Sequence, residues 1–190
     1  KDVLDLGCAG GFMAEALSEK GATLTGIDPA AEAIEAAKAH AALTGKKIAY
    51  DVGVGEALPY GSDRFDAVVC VDVLEHVSDL KQVMLETARV LKPGGLFLFD
   101  TINRNPLASL AVVTIAENIL RILPKGTHDP SLFIKPNELR SATSRAGLQI
   151  GALTGLGPAG FNRHGDILFG RLPFKFIIYM GVARKLEASF

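Results

Sequence analysis

The residues best suited to chemistry begin with a glycine turn and an acid that follows the next strand. Gly7, Gly10 and Gly11 crowd the turn after the short apolar run 3–6. Glycines are needed where a ligand touches the backbone, because a Cβ would hold that ligand away. Asp28 comes about twenty residues later, after the next apolar run, where a carboxylate can accept both hydroxyls of a ribose. The pair indicates a nucleotide or nucleoside site.

The spacing of the glycines separates two classes of such sites. The dinucleotide pattern G-x-G-x-x-G, counted from Gly7, requires glycines at Ala9 and Phe12 and fails at both. The pattern G-x-G-x-G, typical of S-adenosylmethionine sites, requires glycines at Gly7, position 9 and Gly11, and departs only at Ala9. A methyl-donor site is therefore favoured, and a nicotinamide dinucleotide site is the alternative. Asp5 is expected either to order this loop or to reach the donor's amino group through water. The alternative is that Asp5 has only a packing role in the fold.

A second group of candidate residues follows the apolar run 65–71. Asp72, Glu75 and His76 stand at i, i+3 and i+4, so they share one face if the segment turns helically. Two carboxylates and an imidazole can hold Mg²⁺, which makes a bound hydroxyl more acidic. His76 acting as a general base without a metal is one alternative. A structural role, in which Asp72 caps the next helix, is the other.

Composition narrows the class of protein. The chain has 190 residues and a net charge of −1, with no basic stripe, so nucleic acid is not expected as a partner. Cys8 and Cys70 have no metal-binding or redox spacing, and no secretory signal is visible, which together favour the cytoplasm. The first core strand begins almost at Lys1, so we expect additional helices upstream of this sequence.

Apolar runs and helical patterns alternate along most of the chain, which is typical of an α/β fold. We predict a single domain over 1–190 with a mostly parallel, seven-stranded, Rossmann-like sheet, an antiparallel last strand and helices on both faces. The last two strands are expected to pair as a hairpin at the sheet edge. The predicted strands are 3–6, 22–27, 47–51, 65–71, 96–100, 148–154 and 174–183. The predicted helices are 12–20, 29–43, 79–91 and 136–146.

An insertion at 103–135 interrupts this alternation. Its segment 107–123 is strongly apolar, yet slightly too short and too polar to span a bilayer. One interpretation is an extra core helix. The favoured interpretation is a lid at the membrane surface that contacts lipid or substrate through 106–125, with Arg121 and Lys125 at the level of the lipid head groups.

Several motifs together resemble those of a known family. VLDLGCAGG, TGIDPA, VDVLEHV and LKPGG resemble the motifs of class I S-adenosylmethionine-dependent methyltransferases. The insertion, with AVVTIAENILRILPKGTHD followed by FIKP, closely resembles that of the ubiquinone-biosynthesis O-methyltransferases, which methylate polyprenylated phenols and catechols. The resemblance covers nearly all of the chain and is thinnest over 155–173.

The resemblance implies S-adenosylmethionine as methyl donor and transfers roles to matching positions. The donor-binding glycine falls on Gly7, the ribose acid on Asp28, and the adenine-side residue on Val71. The family often has Met at the position of Val71 and Gly at the position of Ala9. These two differences are expected to affect the affinity for the donor rather than its identity. A divalent-metal requirement is implied too, with Asp72 where the family more often has Glu. The implied acceptor is a membrane-dissolved polyprenylated phenol or catechol.

The acceptor side is less well defined by the sequence. Asn103 and Arg104 follow the fifth strand and are expected either to line the acceptor pocket or to order the loop. His128, Asp129 and His164 are weaker candidates, expected to have loop roles. The alternatives for the whole chain are a methyltransferase of the same fold for another small molecule, and a catalytically silent donor- or lipid-binding module.

Overall fold

The structure, a computed structural model, describes residues 1–119, 126–164 and 167–187. The strands are β1 (Asp2–Leu6), β2 (Thr23–Asp28), β3 (Ala49–Val52), β4 (Phe65–Cys70), β5 (Leu91–Ile102), β6 (Leu148–Ile150), β7 (Thr154–Phe161), β8 (Ile167–Leu172) and β9 (Ile178–Lys185). The helices are α1 (Phe12–Ser18), α2 (Ala31–Leu43), α3 (Leu80–Val90), α4 (Pro106–Ser109) and α5 (Pro136–Arg145). The predicted ends differ from these by a few residues, most at β5, which starts directly after α3.

The strands form one sheet in the order β3-β2-β1-β4-β5-β9-β7-β8, with β6 also paired to β9. The pairs β1–β2, β2–β3, β1–β4 and β4–β5 are parallel. The last strand, β9, runs antiparallel to β5, so that Phe99 lies opposite Gly181. The predicted α/β class, with a mostly parallel sheet and an antiparallel last strand, is confirmed.

The carboxyl-terminal part of the sheet differs from the prediction in strand number and order. Within the described residues the sheet has nine strands, where seven were expected. The glycine-rich connection before β9 forms the hairpin β7–β8, and β9 lies between β5 and β7 rather than at the edge. Glycines hide the alternation that identifies a strand, because they have no side chain to bury. Gly155 shows why glycine is present: a Cβ there would lie 1.8 Å from the carbonyl oxygen of Phe174.

Hydrophobic clusters cover both faces of the sheet. Leu4 and Val68 face one cluster, which includes Met84 of α3 and Leu139 of α5. The neighbouring residues on the same strands face the other cluster, which includes α1 and α2. This alternation along each strand produces the predicted arrangement of helices on both faces. It also brings the carboxyl ends of the parallel strands to one edge, where ligands of such folds bind.

The insertion begins in a defined way. The side chain of Asn105 accepts a hydrogen bond of 2.9 Å from the backbone N–H of Ala108 and so caps α4. The chain continues as a π-helix over Leu110–Ile119. Ala108 and Val112 pack against Phe133 in a third cluster. None of the described helices is long and apolar enough to cross a membrane.

Candidate functional site

The glycine turn brings the backbone close to the residues around it. Gly7 and Gly11 have φ angles of 77° and 82°. A Cβ on Gly7 would lie 2.2 Å from Cγ2 of Val73, so no larger residue fits without displacing that side chain. The backbone N–H of Gly7 donates to the carbonyl of Ile27 at 2.8 Å, which ties the loop to β2. Ala9 also has a left-handed backbone, with φ 43°, which explains why glycine suits this position.

Asp28, at the end of β2, lies next to the glycine turn. Its Oδ2 accepts from the backbone N–H of Ala9, and its Oδ1 accepts from that of Ala30, both at 2.9 Å. A carboxylate oxygen has two lone pairs, so each oxygen can accept one further hydrogen bond. The carboxylate therefore points at the loop, with acceptor capacity left for the hydroxyls of a sugar.

Asp5 is a buried acid in the strand that leads into the loop. Its residue is 3% exposed, and its Oδ2 has no hydrogen-bond partner among the described residues. Burial, together with the nearby charge of Asp28, raises the pKa of Asp5 to about 6. An unpartnered buried carboxylate oxygen is costly, so this geometry favours a cationic or hydrogen-donating ligand.

Val71 and Asp100 line a groove of about 560 Å³ between α1 and the sheet, together with Met13, Leu98 and Met180. Asp100 lies near the carboxyl end of β5, and burial raises its pKa to about 6. Its Oδ1 accepts from the backbone N–H of Asp72 at 2.8 Å. Asp100 is not among the residues predicted from the sequence, although an acid near the end of an apolar strand is the same signal that identified Asp28.

A cluster of possible metal ligands lies beside this edge. Ligand atoms of Glu75, His76 and His128 all lie within 4.8 Å of one another. Glu75 is 1% exposed; its Oε2 accepts from the Thr101 hydroxyl at 2.8 Å, whereas its Oε1 has no partner among the described residues. Burial raises the pKa of Glu75 to about 7. Partial removal from water, together with the nearby His128, lowers the pKa of His76.

This cluster differs from the predicted one, because His128 takes the place expected for Asp72. The expectation assumed that the segment turns helically from Asp72 onward, whereas Asp72 has φ 54° and the helical turn covers only Leu74–His76. The side chain of Asp72 is exposed, and its charge contributes to the raised pKa of Glu75 without joining the described cluster. His128 comes from the far end of the insertion, a contact that the sequence does not reveal.

Asn103 and Arg104 both connect segments of the fold. The Nδ2 of Asn103 donates to the carbonyl of Lys175 at 2.7 Å. The guanidinium of Arg104 pairs with Glu138 and donates to the carbonyl of Ser131. These contacts correspond to the loop-ordering alternative, and contact with the acceptor stays a prediction.

Comparison with known proteins gives a consistent result. A profile described as a methyltransferase domain matches residues 4–99. The chain is 44% identical over 157 residues to the ubiquinone biosynthesis O-methyltransferase of Thiobacillus denitrificans, which covers 82% of this chain and 68% of that protein. The corresponding protein of Nitrosospira multiformis is 43% identical over 157 residues, covering 82% and 66%.

Solved structures share the fold at lower identity. A SAM-dependent methyltransferase from Methanosarcina mazei is similar with a TM-score of 0.71 and 23% identity, covering 97% of this chain and 92% of that chain. A second similar structure has a TM-score of 0.76 and 23% identity, and the match covers 100% of this chain and 77% of that chain. It comes from work on the conversion of a disulfide bond into a thioacetal group during echinomycin biosynthesis.

Proposed function

Because the chain belongs to the ubiquinone biosynthesis O-methyltransferase family, we propose that it methylates a phenolic or catechol oxygen of a polyprenylated ubiquinone precursor. The methyl donor of this family of enzymes is S-adenosylmethionine. The observation that carries the proposal is the match at 44% identity over 82% of the chain. The carboxylate of Asp28, poised at the glycine turn, gives that match a physical basis in the described site.

The donor is proposed to bind along the glycine turn. Asp28 would accept the two ribose hydroxyls while it keeps its hydrogen bond from Ala9. Gly7 and Gly11 leave the backbone accessible at close range. The unpartnered oxygen of Asp5 suits the donor's ammonium group, which would stabilise the ionised carboxylate. Val71 is proposed for the adenine side and lies in the groove described above.

Methyl transfer is an in-line displacement, so the protein mainly aligns the two reactants. The acceptor oxygen forms a bond to the methyl carbon while the carbon–sulfur bond breaks. The electron pair of the broken bond stays on the sulfur, and the donor becomes a thioether. The phenol proton must leave first, and ionising a phenol of pKa near 10 at pH 7 costs roughly 4 kcal/mol. His76, whose lowered pKa favours the neutral imidazole, is proposed to accept that proton if no metal assists.

The described cluster also fits a divalent cation. The unpartnered Oε1 of Glu75 and the rings of His76 and His128 supply one carboxylate and two imidazoles. Such a set suits Mn²⁺ or Zn²⁺ better than Mg²⁺, which prefers oxygen ligands. When bound, the ion would lower the pKa of a nearby phenol, and the role of these residues is to hold it beside the acceptor.

The insertion is proposed to give the protein access to its acceptor in the membrane. A polyprenylated phenol dissolves in membrane, so the protein is proposed to work at the cytoplasmic face of a bilayer through 106–125. Leu107 and Leu110 support this, since they are 49% and 50% exposed. Arg121 and Lys125, expected at head-group level, lie outside the described residues.

The test is a methylation assay with a short-tailed demethylubiquinol analogue and S-adenosylmethionine, with and without EDTA. Methylated product is expected from the wild type, and Asp28→Asn should reduce its formation because donor binding weakens. Glu32→Gln, an exposed acid on α2, is the matched control. If calorimetry shows that the wild type binds the donor while no phenolic analogue is methylated, an acceptor of another class replaces the one proposed. If the protein binds NADH and not the donor, the assignment fails.

A further inference from the structure

The turn between β8 and β9 exposes two stacked aromatic rings. Phe174 and Phe176 are 48% and 56% exposed, and their rings lie 5.5 Å apart at an angle of 21°. Lys175, between them, is exposed as well. We call residues 173–177 the aromatic loop. Large apolar side chains grouped in water are costly, so such a group indicates a contact surface.

The backbone of the aromatic loop is firmly held. The side chains of Asn103 and Asn105 donate to the carbonyls of Lys175 and Phe176 at 2.7 and 2.6 Å. The backbone N–H of Asn103 donates to the carbonyl of Ile177 at 2.7 Å. The rings are therefore displayed on a backbone fixed at three carbonyls.

The chain segment that leads into the aromatic loop carries basic residues. Segment 167–177 (ILFGRLPFKFI) has two basic residues, Arg171 and Lys175, and no acid. Both are exposed. Phe169 and Leu168, on β8, are also exposed, at 58% and 48%. Exposed phenylalanine rings on either side of a lysine are complementary to an anionic lipid surface.

This surface adjoins the start of the insertion. Asn105, which holds the carbonyl of Phe176, also caps α4. Leu107 on α4 is 49% exposed, and Leu110 directly after it is 50% exposed. The aromatic loop and the insertion thus present apolar side chains from two chain segments joined by Asn105.

We propose that the aromatic loop is a membrane anchor, in which Phe174 and Phe176 enter the interface of an anionic bilayer while Lys175 contacts lipid phosphates. Phenylalanine rings bury their apolar surface at the boundary between head groups and acyl chains, and each nearby basic residue adds attraction to anionic lipid. The anchor is separate from segment 106–125 and does not depend on the identity of the methyl acceptor.

The test is co-sedimentation of the full chain with phosphatidylcholine vesicles, with and without about one third phosphatidylglycerol. Phe174→Ser/Phe176→Ser is expected to lower the partition coefficient on both vesicles by about tenfold or more. Lys175→Gln is expected to lower it about fivefold on the anionic vesicles alone. Leu43→Ser/Leu85→Ser is the matched control and should bind as the wild type does, since these leucines are 86% and 50% exposed on α2 and α3.

Equal vesicle binding by the wild type and the double phenylalanine variant would overturn the proposal. So would equal loss in the leucine control, which would indicate nonspecific adsorption. A shift from dimer to monomer in sedimentation velocity, with vesicle binding unchanged, would assign the surface to a second copy of the chain instead. Donor affinity and methylation of a water-soluble phenol should be unchanged in all variants, so failure of the anchor and failure of the proposed function are distinguished.

Discussion

The backbone N–H of Ala9 donates to Oδ2 of Asp28 at 2.9 Å, joining the glycine turn to the end of β2. The carboxylate proposed to hold the donor's sugar is thus also a hydrogen-bond partner of the loop that the donor touches. Its other oxygen is held by the N–H of Ala30 at the start of α2. The proposed recognition of the sugar and the conformation of the loop therefore depend on the same side chain.

Replacing Asp28 by Asn should weaken donor binding. The amide keeps one acceptor oxygen and loses the charge, and charge-assisted hydrogen bonds are about twice as strong as neutral ones. We expect a loss of about 2 kcal/mol or more, equivalent to roughly 30-fold in Kd, by titration calorimetry with S-adenosylmethionine. Glu32→Gln should bind as the wild type does. An unchanged Kd in Asp28→Asn would remove Asp28 from the donor site.

Position 9 should tolerate glycine and reject a β-branched residue. Alanine at φ 43° costs about 1 kcal/mol relative to glycine, but glycine also gains freedom in the unfolded chain. Ala9→Gly is therefore expected to change the free energy of unfolding by less than about 1 kcal/mol. Ala9→Val should lower it by more than about 2 kcal/mol, because a branched side chain strongly disfavours this backbone. Urea denaturation measures both, and a valine variant as stable as the wild type would contradict the left-handed conformation.

Asp5 should make the protein less stable as the pH rises from about 4 to about 7. Its pKa is about 6 in the folded protein against an ordinary value of 3.8, so the folded state favours the protonated acid. The folded protein keeps this stabilisation fully when the pH is below the ordinary pKa of the acid and loses it as the pH rises past 6. The free energy of unfolding falls by at most about 3 kcal/mol over this range. Asp5→Asn should flatten this part of the pH profile of unfolding. Because the pKa values of Asp100 and Glu75 are raised in the same direction, Asp100→Asn and Glu75→Gln are the controls that separate the three contributions.

The sequence predicted the parallel half of the fold well, because its strands are buried on both faces. Val68 and Val69 point to opposite clusters, and a run of apolar residues is what such a strand requires. The hairpin β7–β8 was missed, since Gly157 faces Gly170 across it and neither has a side chain to form a pattern. The hairpin β7–β8 is held by backbone hydrogen bonds, and the side-chain pattern of the sequence gives little indication of that pairing.

The candidate donor site was more predictable than the cluster of possible metal ligands. Asp28 and the glycine turn belong to consecutive elements of one βαβ unit, so local spacing is enough to bring them together. Glu75 and His128 are separated along the chain by α3, β5 and the insertion. Their contact depends on how the segment after the insertion returns to the sheet, where Tyr179 donates to the carbonyl of Ile134 at 2.9 Å. No periodicity in the sequence encodes that return path.

Metal binding should depend more on His128 than on Asp72. The ligand atoms of Glu75, His76 and His128 lie within 4.8 Å of one another, whereas Asp72 is exposed and outside that group. Removing one of three protein ligands should weaken Mn²⁺ binding by more than tenfold, since loss of even an outer partner typically costs 10- to 100-fold. His128→Ala is therefore expected to lose Mn²⁺ affinity in calorimetry and electron paramagnetic resonance. Asp72→Ala is expected to lose less.

The direct readout of Mn²⁺ keeps this prediction independent of catalysis. His164→Ala, on an exposed histidine of the β7–β8 turn, is the matched control and should bind Mn²⁺ as the wild type does. The opposite order, a large loss in Asp72→Ala with none in His128→Ala, would support the site expected from the sequence. That result would require the segment at Asp72 to rewind into a helical turn, because only then do positions 72, 75 and 76 share a face. The left-handed backbone at Asp72 favours the site that includes His128.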